Sequence, residues 1–337
     1  MFRYVMGRLL GAALVLFAVS VFTFGIFQIL PKLTGTDLAL YYTGRNTSPA
    51  QAAAVLHKFG FDQPVLQQYW TWLSGIFTGR QLGDGVSSVS CPAPCLGYSF
   101  RQNSPVLTLI MQAFPVTLSI TAGAAVLWLG LGVGAGVLAA WRRDTLLDRA
   151  TTVTSLVGIS MPAFFSGMII IYALTSGPEW LRLYPNGINY VPITQDPVGW
   201  FTNLLPVWVC LAYLIAAVYT RFARAAMLET LEEDYLLTAQ AKGLRPRGVV
   251  YHGFRSVLPL IVTLTGLDIG GLLGGAVIIE ALFSFPGLGL LAFDALNTKD
   301  LPVIMGVTLF SAVLIVLANF AVDLCHPLLD PRVTHGE

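Results

Sequence analysis

The 337-residue sequence contains few charged residues, and this scarcity excludes most soluble folds. Asp, Glu, Lys and Arg make up 11% of the residues, whereas hydrophobic residues make up 55%. An ordinary soluble domain is about 25% charged. The charges are also balanced, at 19 Lys and Arg against 18 Asp and Glu, so no basic face for nucleic acid is expected. The composition therefore predicts an integral membrane protein.

The sequence also lacks the motifs that mark many enzymes and metal sites. It has four cysteines and four histidines, too few and too scattered for a disulfide-rich scaffold or a tetrahedral metal site. It has no GxxxxGK[ST] loop to hold nucleotide phosphates, and no GxSxG, HExxH or CxxC motif. We therefore expect neither an enzyme nor a chain that itself binds a metal, ATP or nucleic acid.

Long apolar stretches predict six membrane spans, since one crossing needs about 20 apolar residues. Five stretches contain no charged residue, namely residues 9–31, 102–141, 150–178, 197–220 and 301–322. A sixth, over about 257–282, contains two. Because the second is unusually long and contains Pro115, we expect residues 106–114 to lie along the outer interface and 116–140 to cross. A cleaved signal peptide is the alternative for the first stretch, but no small-residue cleavage site follows Pro31.

The distribution of basic residues predicts the orientation of the chain. With the N-terminus inside, 12 of the 19 Lys and Arg residues fall in inner segments, where short basic loops are retained. Both termini are therefore expected in the cytoplasm. The predicted regions are an N-terminal tip and first span over 1–31, an extracytoplasmic segment over 32–105, a core of five spans over 106–325 and a cytoplasmic tail over 326–337.

The extracytoplasmic segment is interpreted as a lid or a docking surface, with predicted helices over 49–59 and about 66–76. Residues 84–96 inside it have the Ser, Gly and Pro content of a loop and contain Cys91 and Cys95. These two cysteines are close enough in sequence to form a disulfide. The prolines between them favour extended backbone, so both states remain open.

The cytoplasmic segment 221–258 is the most polar part of the chain. Its pattern predicts one continuous helix over 221–241, a break at Gly243 and Pro246, and a second helix from Val249. This is either a solvated loop or a helix-turn-helix that inserts into another protein.

Asp268 and Glu280 are the ionisable residues within the predicted spans. Such residues face a bundle interior or an aqueous cavity, so they are candidates for lining a translocation pathway, for a structural hydrogen bond or for a proton relay. On one ideal helix, twelve positions separate them by about 120°, which argues against one shared site.

Glycines are concentrated in two of the spans, over residues 130–136 and 266–275. Small residues let membrane helices approach closely. We therefore expect these two spans to be interface helices.

Two runs in the cytoplasmic segment, RAAMLE at 224–229 and DYLLTAQAKGL at 234–244, resemble the coupling loop of bacterial ABC-importer permeases of the dipeptide and oligopeptide family. The similarity extends over essentially the whole chain. Further matching positions are 61–64 with Tyr69, 97–100, Pro105, Val106, Pro115, Thr117, Ser160, Pro162, Phe164, Glu280, 285–289, Asp323 and 329–332.

The resemblance implies an all-α protein of the bacterial inner membrane with the type I ABC-importer permease fold. It implies one of two homologous permease subunits, surrounded by lipid, which form a pathway for peptides. Two ATPase subunits that carry ATP and Mg, and an extracytoplasmic binding protein, would complete the importer. The coupling residues that it assigns are Arg224, Glu229, Asp234, Tyr235, Thr238, Ala239, Ala241, Lys242, Gly243 and Leu244.

The chain departs from this family in three places. The usual Glu-Ala-Ala opening of the coupling motif is Leu237-Thr238-Ala239 here. The Pro-Gly-Asp-Pro that often follows the first span is Pro31-Lys32-Leu33-Thr34, and residues 84–96 look like an insertion. Some members of the family carry nickel or other small solutes, and nothing in the sequence selects among these cargoes. The alternatives from other classes are an ion-coupled secondary transporter and a scaffold that moves no solute.

Overall fold

The computed structural model describes residues 2–29, 63–82 and 89–329, and this part of the chain is mainly helical. Its helices are α1 (Phe2–Phe24), α2 (Val65–Thr78), α3 (Val106–Trp128), α4 (Gly134–Trp141), α5 (Leu146–Ser160), α6 (Ala163–Thr175), α7 (Pro197–Leu231), α8 (Asp234–Ala241), α9 (Pro246–Leu273), α10 (Val277–Phe283), α11 (Leu288–Thr298) and α12 (Leu301–Leu329). Short π-helical turns extend α1 over Gly25–Ile29 and join α3 to α4 over Leu129–Val133.

Two small antiparallel hairpins precede α3. Strand β1 (Arg80–Leu82) pairs with β2 (Val89–Cys91), and β3 (Tyr98–Ser99) pairs with β4 (Ser104–Pro105). The hydroxyl of Ser99 donates a 2.5 Å hydrogen bond to the buried carboxylate of Asp300, just before α12. The second hairpin is thereby fixed to the start of the last long helix.

Five stretches in the described part of the chain are long and apolar enough to cross a membrane: Val5–Ile29, Val106–Trp141, Pro197–Leu231, Pro246–Leu273 and Leu301–Pro327. Two further helix pairs qualify only when joined, α5 with α6 and α10 with α11, and they are bent by 100° and 87°. The first bend occurs at Pro162, which holds Met161 in an extended conformation and so ends α5.

The directions of the helices distinguish the two bent pairs. Along α3 and α4, Gly132 contacts Ala216 of α7 and Gly136 contacts Thr220, so α4 and α7 run parallel. The chain must therefore cross back between them, and α5 with α6 provides that passage. By contrast, Gly266 of α9 contacts Val322 of α12 and Gly274 contacts Ser311, so these helices are antiparallel.

Helix α9 ends and α12 starts at the same end of the bundle. The intervening helices α10 and α11 therefore enter and leave at that end, as a re-entrant hairpin. At the opposite end Arg8 pairs with Asp323 at 3.2 Å, which brings the start of α1 and the end of α12 together. We call the end with this ion pair the terminal end, and the end with the re-entrant hairpin the far end. The arrangement is compatible with six passes and with both termini on one side.

Two buried clusters hold these helices together. One lies between α3, α7 and the re-entrant hairpin and includes Trp128, Leu204 and Phe285. The other, toward the far end, joins α2, α3 and α12 and includes Tyr69 and Ile110. The glycine contacts of α4 with α7 and of α9 with α12 confirm that the two glycine-rich spans are interface helices within the chain.

Pro115 does not divide its helix, so the prediction of an interfacial segment over 106–114 was wrong. The helix is unbroken across Pro115, and Val106, Ile110 and Ala113 are buried in the bundle. Neighbouring helices tolerate a membrane proline because local adjustments and polar side chains satisfy the freed backbone groups.

The predicted continuous helix over 221–241 was also wrong, since α7 ends at Leu231 and α8 begins at Asp234. Glu232, Glu233 and Asp234 explain the break. Acidic residues destabilise the C-terminal end of a helix and stabilise the N-terminal end of the next.

The predicted span 257–282 begins and ends elsewhere. Helix α9 runs from Pro246 and stops at Leu273, and Gly275 has a φ of 120° in the break before α10. Asp268 and Glu280 therefore lie on different helices, and the 120° estimate does not apply to them. Their hydrogen-bond partners are nevertheless separate, as described below.

The extracytoplasmic predictions have mixed outcomes. The helix expected at 66–76 is confirmed as α2, whereas the one expected at 49–59 lies outside the described residues. Cys91 and Cys95 form a disulfide, with their Cα atoms 5.5 Å apart, so the state that the sequence left open is the bonded one. Both cysteines are buried beside the first hairpin.

Candidate functional site

Helix α8 lies at the terminal end between two long helices, α7 and α9. A Schellman motif ends it: the N–H of Gly243 donates to the carbonyl of Gln240 at 2.9 Å, and the N–H of Leu244 donates to that of Ala239 at 3.1 Å. Gly243 has a φ of 89°, which favours glycine. The chain can therefore stop α8 sharply and start α9 within a few residues.

One side of α8 is anchored to α9. Leu236 is 0% exposed and packs near Gly253, and the hydroxyls of Tyr235 and Ser256 are 2.8 Å apart. Absence of a side chain on Gly253 lets Leu236 approach the helix closely. The anchored side fixes the orientation of α8 relative to the bundle.

The rest of α8 is open. Leu237 is 50% exposed, and Tyr235 is 49% exposed although its hydroxyl contacts Ser256. Of the predicted coupling residues, the structure brings together on this small surface Asp234, Tyr235, Thr238, Ala241, Lys242 and Gly243 as exposed residues and Ala239 and Leu244 as half-buried ones. A short helix held on one side and exposed on the other is suited to binding a protein partner.

A groove of about 580 Å³ runs beside α8. Its walls include apolar side chains such as Trp141, Leu231 and Leu237. They also include the exposed ion pair between Arg143 and Glu232, in which Nη1 and Oε1 are 3.0 Å apart. The groove extends the open surface of α8 toward α4.

Two residues that the sequence placed with the coupling loop lie outside the surface of α8. Glu229 is on α7, one turn before the break. Arg224 is turned toward α5, where its guanidinium donates to the buried carboxylate of Asp148, with Nη2 and Oδ2 2.8 Å apart. Sequence reasoning missed Asp148, although its place three residues after the N-cap Thr145 is a common position for an acid.

Glu280 is enclosed in a hydrogen-bond network and is 0% exposed. Its Oε2 accepts from the backbone N–H groups of Gly289 and Leu290, at 2.7 and 3.0 Å, so the carboxylate caps the start of α11. Its Oε1 accepts from the Thr117 hydroxyl of α3 at 2.8 Å, and the same hydroxyl accepts from the N–H of Leu288. The structure thus shows Glu280 capping α11 and fastening the re-entrant hairpin, which corresponds to the structural hydrogen bond among the alternatives that the sequence left open.

Asp268 has a different environment. Its Oδ2 accepts a 2.6 Å hydrogen bond from the hydroxyl of Tyr219 on α7, and the side chain is partly exposed. Tyr219 is 2% exposed and packs on Trp128, so the hydroxyl is held in place. Asp268 and Glu280 do not share a site.

Comparisons with known proteins agree with this architecture. A family model described as "Binding-protein-dependent transport system inner membrane component" matches residues 132–335, and the model of its N-terminal part matches residues 1–121. The chain is 34% identical over 338 residues to a di/tripeptide transport system permease protein of Pseudomonas aeruginosa, covering 95% of each chain. It is 34% identical to a dipeptide transport system permease protein of Lactococcus lactis, over 99% of both. It is 32% identical to a probable peptide ABC transporter permease of Sinorhizobium fredii, over 98% of this chain and 99% of the relative.

Proposed function

Because the chain belongs to the family of binding-protein-dependent transport system inner membrane components, we propose that it is one permease subunit of an ATP-driven peptide importer. It is a multi-pass inner-membrane protein and a component of a transport system. Relatives that match nearly its whole length are named for peptide, dipeptide or di/tripeptide transport, which supports peptides as the cargo.

The observation that carries the coupling proposal is the position of α8. It connects α7 and α9, is anchored on Leu236 and Tyr235, and exposes its other side at the terminal end. A partner that binds the exposed side of α8 would move α7 and α9 with it, because the packed contacts of α8 hold it against α9. We propose that this partner is an ATPase subunit in the cytoplasm.

The remaining parts of the importer follow from the same proposal. A second, homologous permease subunit completes the pathway, two ATPase subunits hold ATP and Mg, and an extracytoplasmic binding protein delivers the peptide. The predicted docking surface for the binding protein comprises the extracytoplasmic segment 32–105 and the loop 177–200 before and at the start of α7. This chain needs no cofactor of its own in that assembly.

The test is transport by the complete importer in proteoliposomes. We expect uptake of labelled dipeptides or tripeptides when hydrolysable ATP is supplied on the ATPase side and none with a non-hydrolysable analogue. Uptake driven by an ion gradient without ATP would identify a secondary transporter, and absence of flux under both conditions would favour a scaffold. ATP-dependent transport of nickel without transport of peptides would support the assignment as an importer subunit and contradict the assignment of peptides as its cargo.

A further inference from the structure

Asp268 lies at the edge of a face of α9 that the rest of the chain leaves open. Two other faces of α9 are covered, by α12 at Gly266 and by α7 at Tyr219. On the open face Leu267 is 55% exposed, and a side chain at Gly271 would meet no atom within 4 Å. Charged residues on spans do not face lipid, because exposing a charge to hydrocarbon is costly. This face is therefore suited to an aqueous pathway between two subunits.

The carboxylate of Asp268 is held in place but only partly satisfied. Tyr219 supplies one hydrogen bond, to Oδ2. Among the described residues no Lys, Arg or His forms an ion pair with Asp268. Glu280, by comparison, accepts three hydrogen bonds from the protein. The carboxylate of Asp268 thus retains acceptor capacity on the open face and has no cationic side chain paired with it among the described residues.

We propose that Asp268 binds the protonated α-amino group of the transported peptide, and that Tyr219 positions its carboxylate. This inference rests on the proposed function, since it assumes that peptides pass along α9. An α-amino group has a pKa of about 7.7–8.0 and is largely charged at neutral pH, and its ammonium form carries three N–H donors. It matches a carboxylate with one free oxygen, and a charge-assisted hydrogen bond of this kind is stronger than a neutral one.

The test compares the wild-type importer with Asp268→Asn, using the complete assembly and saturating binding protein. The probes are one labelled tripeptide with a free N-terminus and the same tripeptide N-acetylated. We expect Asp268→Asn to lower uptake of the free tripeptide at least about tenfold, because a charge-assisted bond is lost. Uptake of the acetylated tripeptide should stay at its wild-type level. The binding protein's own preference cancels, since it is the same in both assays.

Three controls separate a recognition role from a structural one. Leu14→Ala, at a position of α1 that is 69% exposed and outside this face, should leave both uptakes unchanged, and Asp268→Glu should restore part of the free-tripeptide uptake. Stimulation of ATP hydrolysis by loaded binding protein should persist in Asp268→Asn, because the docking and coupling surfaces are untouched.

Several results would overturn the inference. They are equal uptake of the free tripeptide by wild type and Asp268→Asn, an equal loss for both tripeptides, or loss of the second permease subunit from the purified variant, which would make Asp268 an interface residue. A wild-type importer that moves neither tripeptide with ATP would instead reject the proposed function itself.

Discussion

At the scale of single residues, the buried polar contacts fix where the spans turn and how they are joined. Glu280 is the clearest case, since one carboxylate caps α11 and binds Thr117 on α3. In a membrane every buried N–H group must find its acceptor within the protein. The cap therefore explains why the chain can turn back at the far end after α9 has stopped.

Removal of the Glu280 carboxylate should destabilise the protein more than its neutralisation does. In Glu280→Ala the N–H groups of Gly289 and Leu290 and the hydroxyl of Thr117 lose their acceptor, at a cost of about 2 to 4 kcal/mol. In Glu280→Gln the amide oxygen still accepts both N–H groups and the amide nitrogen donates to Thr117. Thermal unfolding in detergent measures the difference.

Thr117→Ser and Thr117→Val provide the matched pair for this prediction. The serine keeps the bridging hydroxyl and should stay close to wild type, whereas the valine should lower the unfolding temperature. Equal unfolding temperatures for Glu280→Ala and Glu280→Gln would show that the cap contributes little.

At the scale of elements, α8 depends on the way it begins and ends. Two acidic residues, Glu232 and Glu233, separate it from α7, and the Schellman motif at Gly243 separates it from α9. The open side of α8 is therefore presented at a fixed angle at the terminal end. The orientation of α8 therefore depends on the two chain breaks that flank it as well as on its own contacts.

Gly243→Val should uncouple ATP hydrolysis from transport. Valine is strongly disfavoured at a φ of 89°, so the Schellman motif would open and α8 would lose its orientation. We expect a loss of peptide uptake and of the ATPase stimulation by loaded binding protein, while the spans still insert because their apolar stretches are unchanged. Uptake and ATP hydrolysis in proteoliposomes check both.

Gly243→Asn is the control for this prediction, because asparagine tolerates a positive φ better than other residues with a side chain. It should keep more activity than the valine variant. Wild-type uptake in Gly243→Val, with the ATPase subunits still bound, would mean that this turn does not couple the two activities.

At the scale of the whole molecule, the described features separate between the two ends of the bundle. The open surface of α8 lies at the terminal end, whereas the disulfide and the hairpins lie at the far end. An oxidising compartment outside the cytoplasm permits a lasting disulfide. This agrees with the orientation predicted from the basic residues.

Thiol labelling should report this orientation directly. Cys325 is exposed near the end of α12, so in spheroplasts a membrane-permeant maleimide should label it and an impermeant one should not. Cys91 and Cys95 should react with the impermeant reagent only after reduction. Cys325→Ser serves as the control for assigning the label.

The opposite labelling pattern would contradict the orientation or the disulfide. Labelling of Cys325 by the impermeant reagent would invert the chain in the membrane. Full labelling of Cys91 and Cys95 without reductant would show that the disulfide does not persist outside the cytoplasm.

Photo-crosslinking should distinguish the two partner surfaces. Tyr69 and Trp72 of α2 are buried, so the probes belong at exposed sites. Probes at Trp70 and Trp180, which are 53% and 79% exposed, should capture the binding protein, and a probe at Leu237, which is 50% exposed, should capture an ATPase subunit. A probe at buried Tyr69 is the neighbouring control. Capture of the binding protein from Leu237 alone would refute the assignment of the two surfaces.

The sequence by itself determined which stretches are apolar enough to cross a membrane and where α8 ends. Both depend on local composition: an uncharged run of about 20 residues satisfies its backbone as a helix in lipid, and glycine marks where α8 ends. The runs at 224–229 and 234–244 also carried the resemblance that the family model bears out.

Only the tertiary structure decided which side chains meet. Thr117 and Glu280 are 163 positions apart, and Arg224 and Asp148 are 76 apart. No local pattern encodes such pairs, because they form only when packed helices bring distant residues together. Packing between distant residues also explains why α3 continues through Pro115, since neighbouring helices support it there. It likewise explains the re-entrant hairpin, which is held in place by the Glu280 cap and its contact with α3.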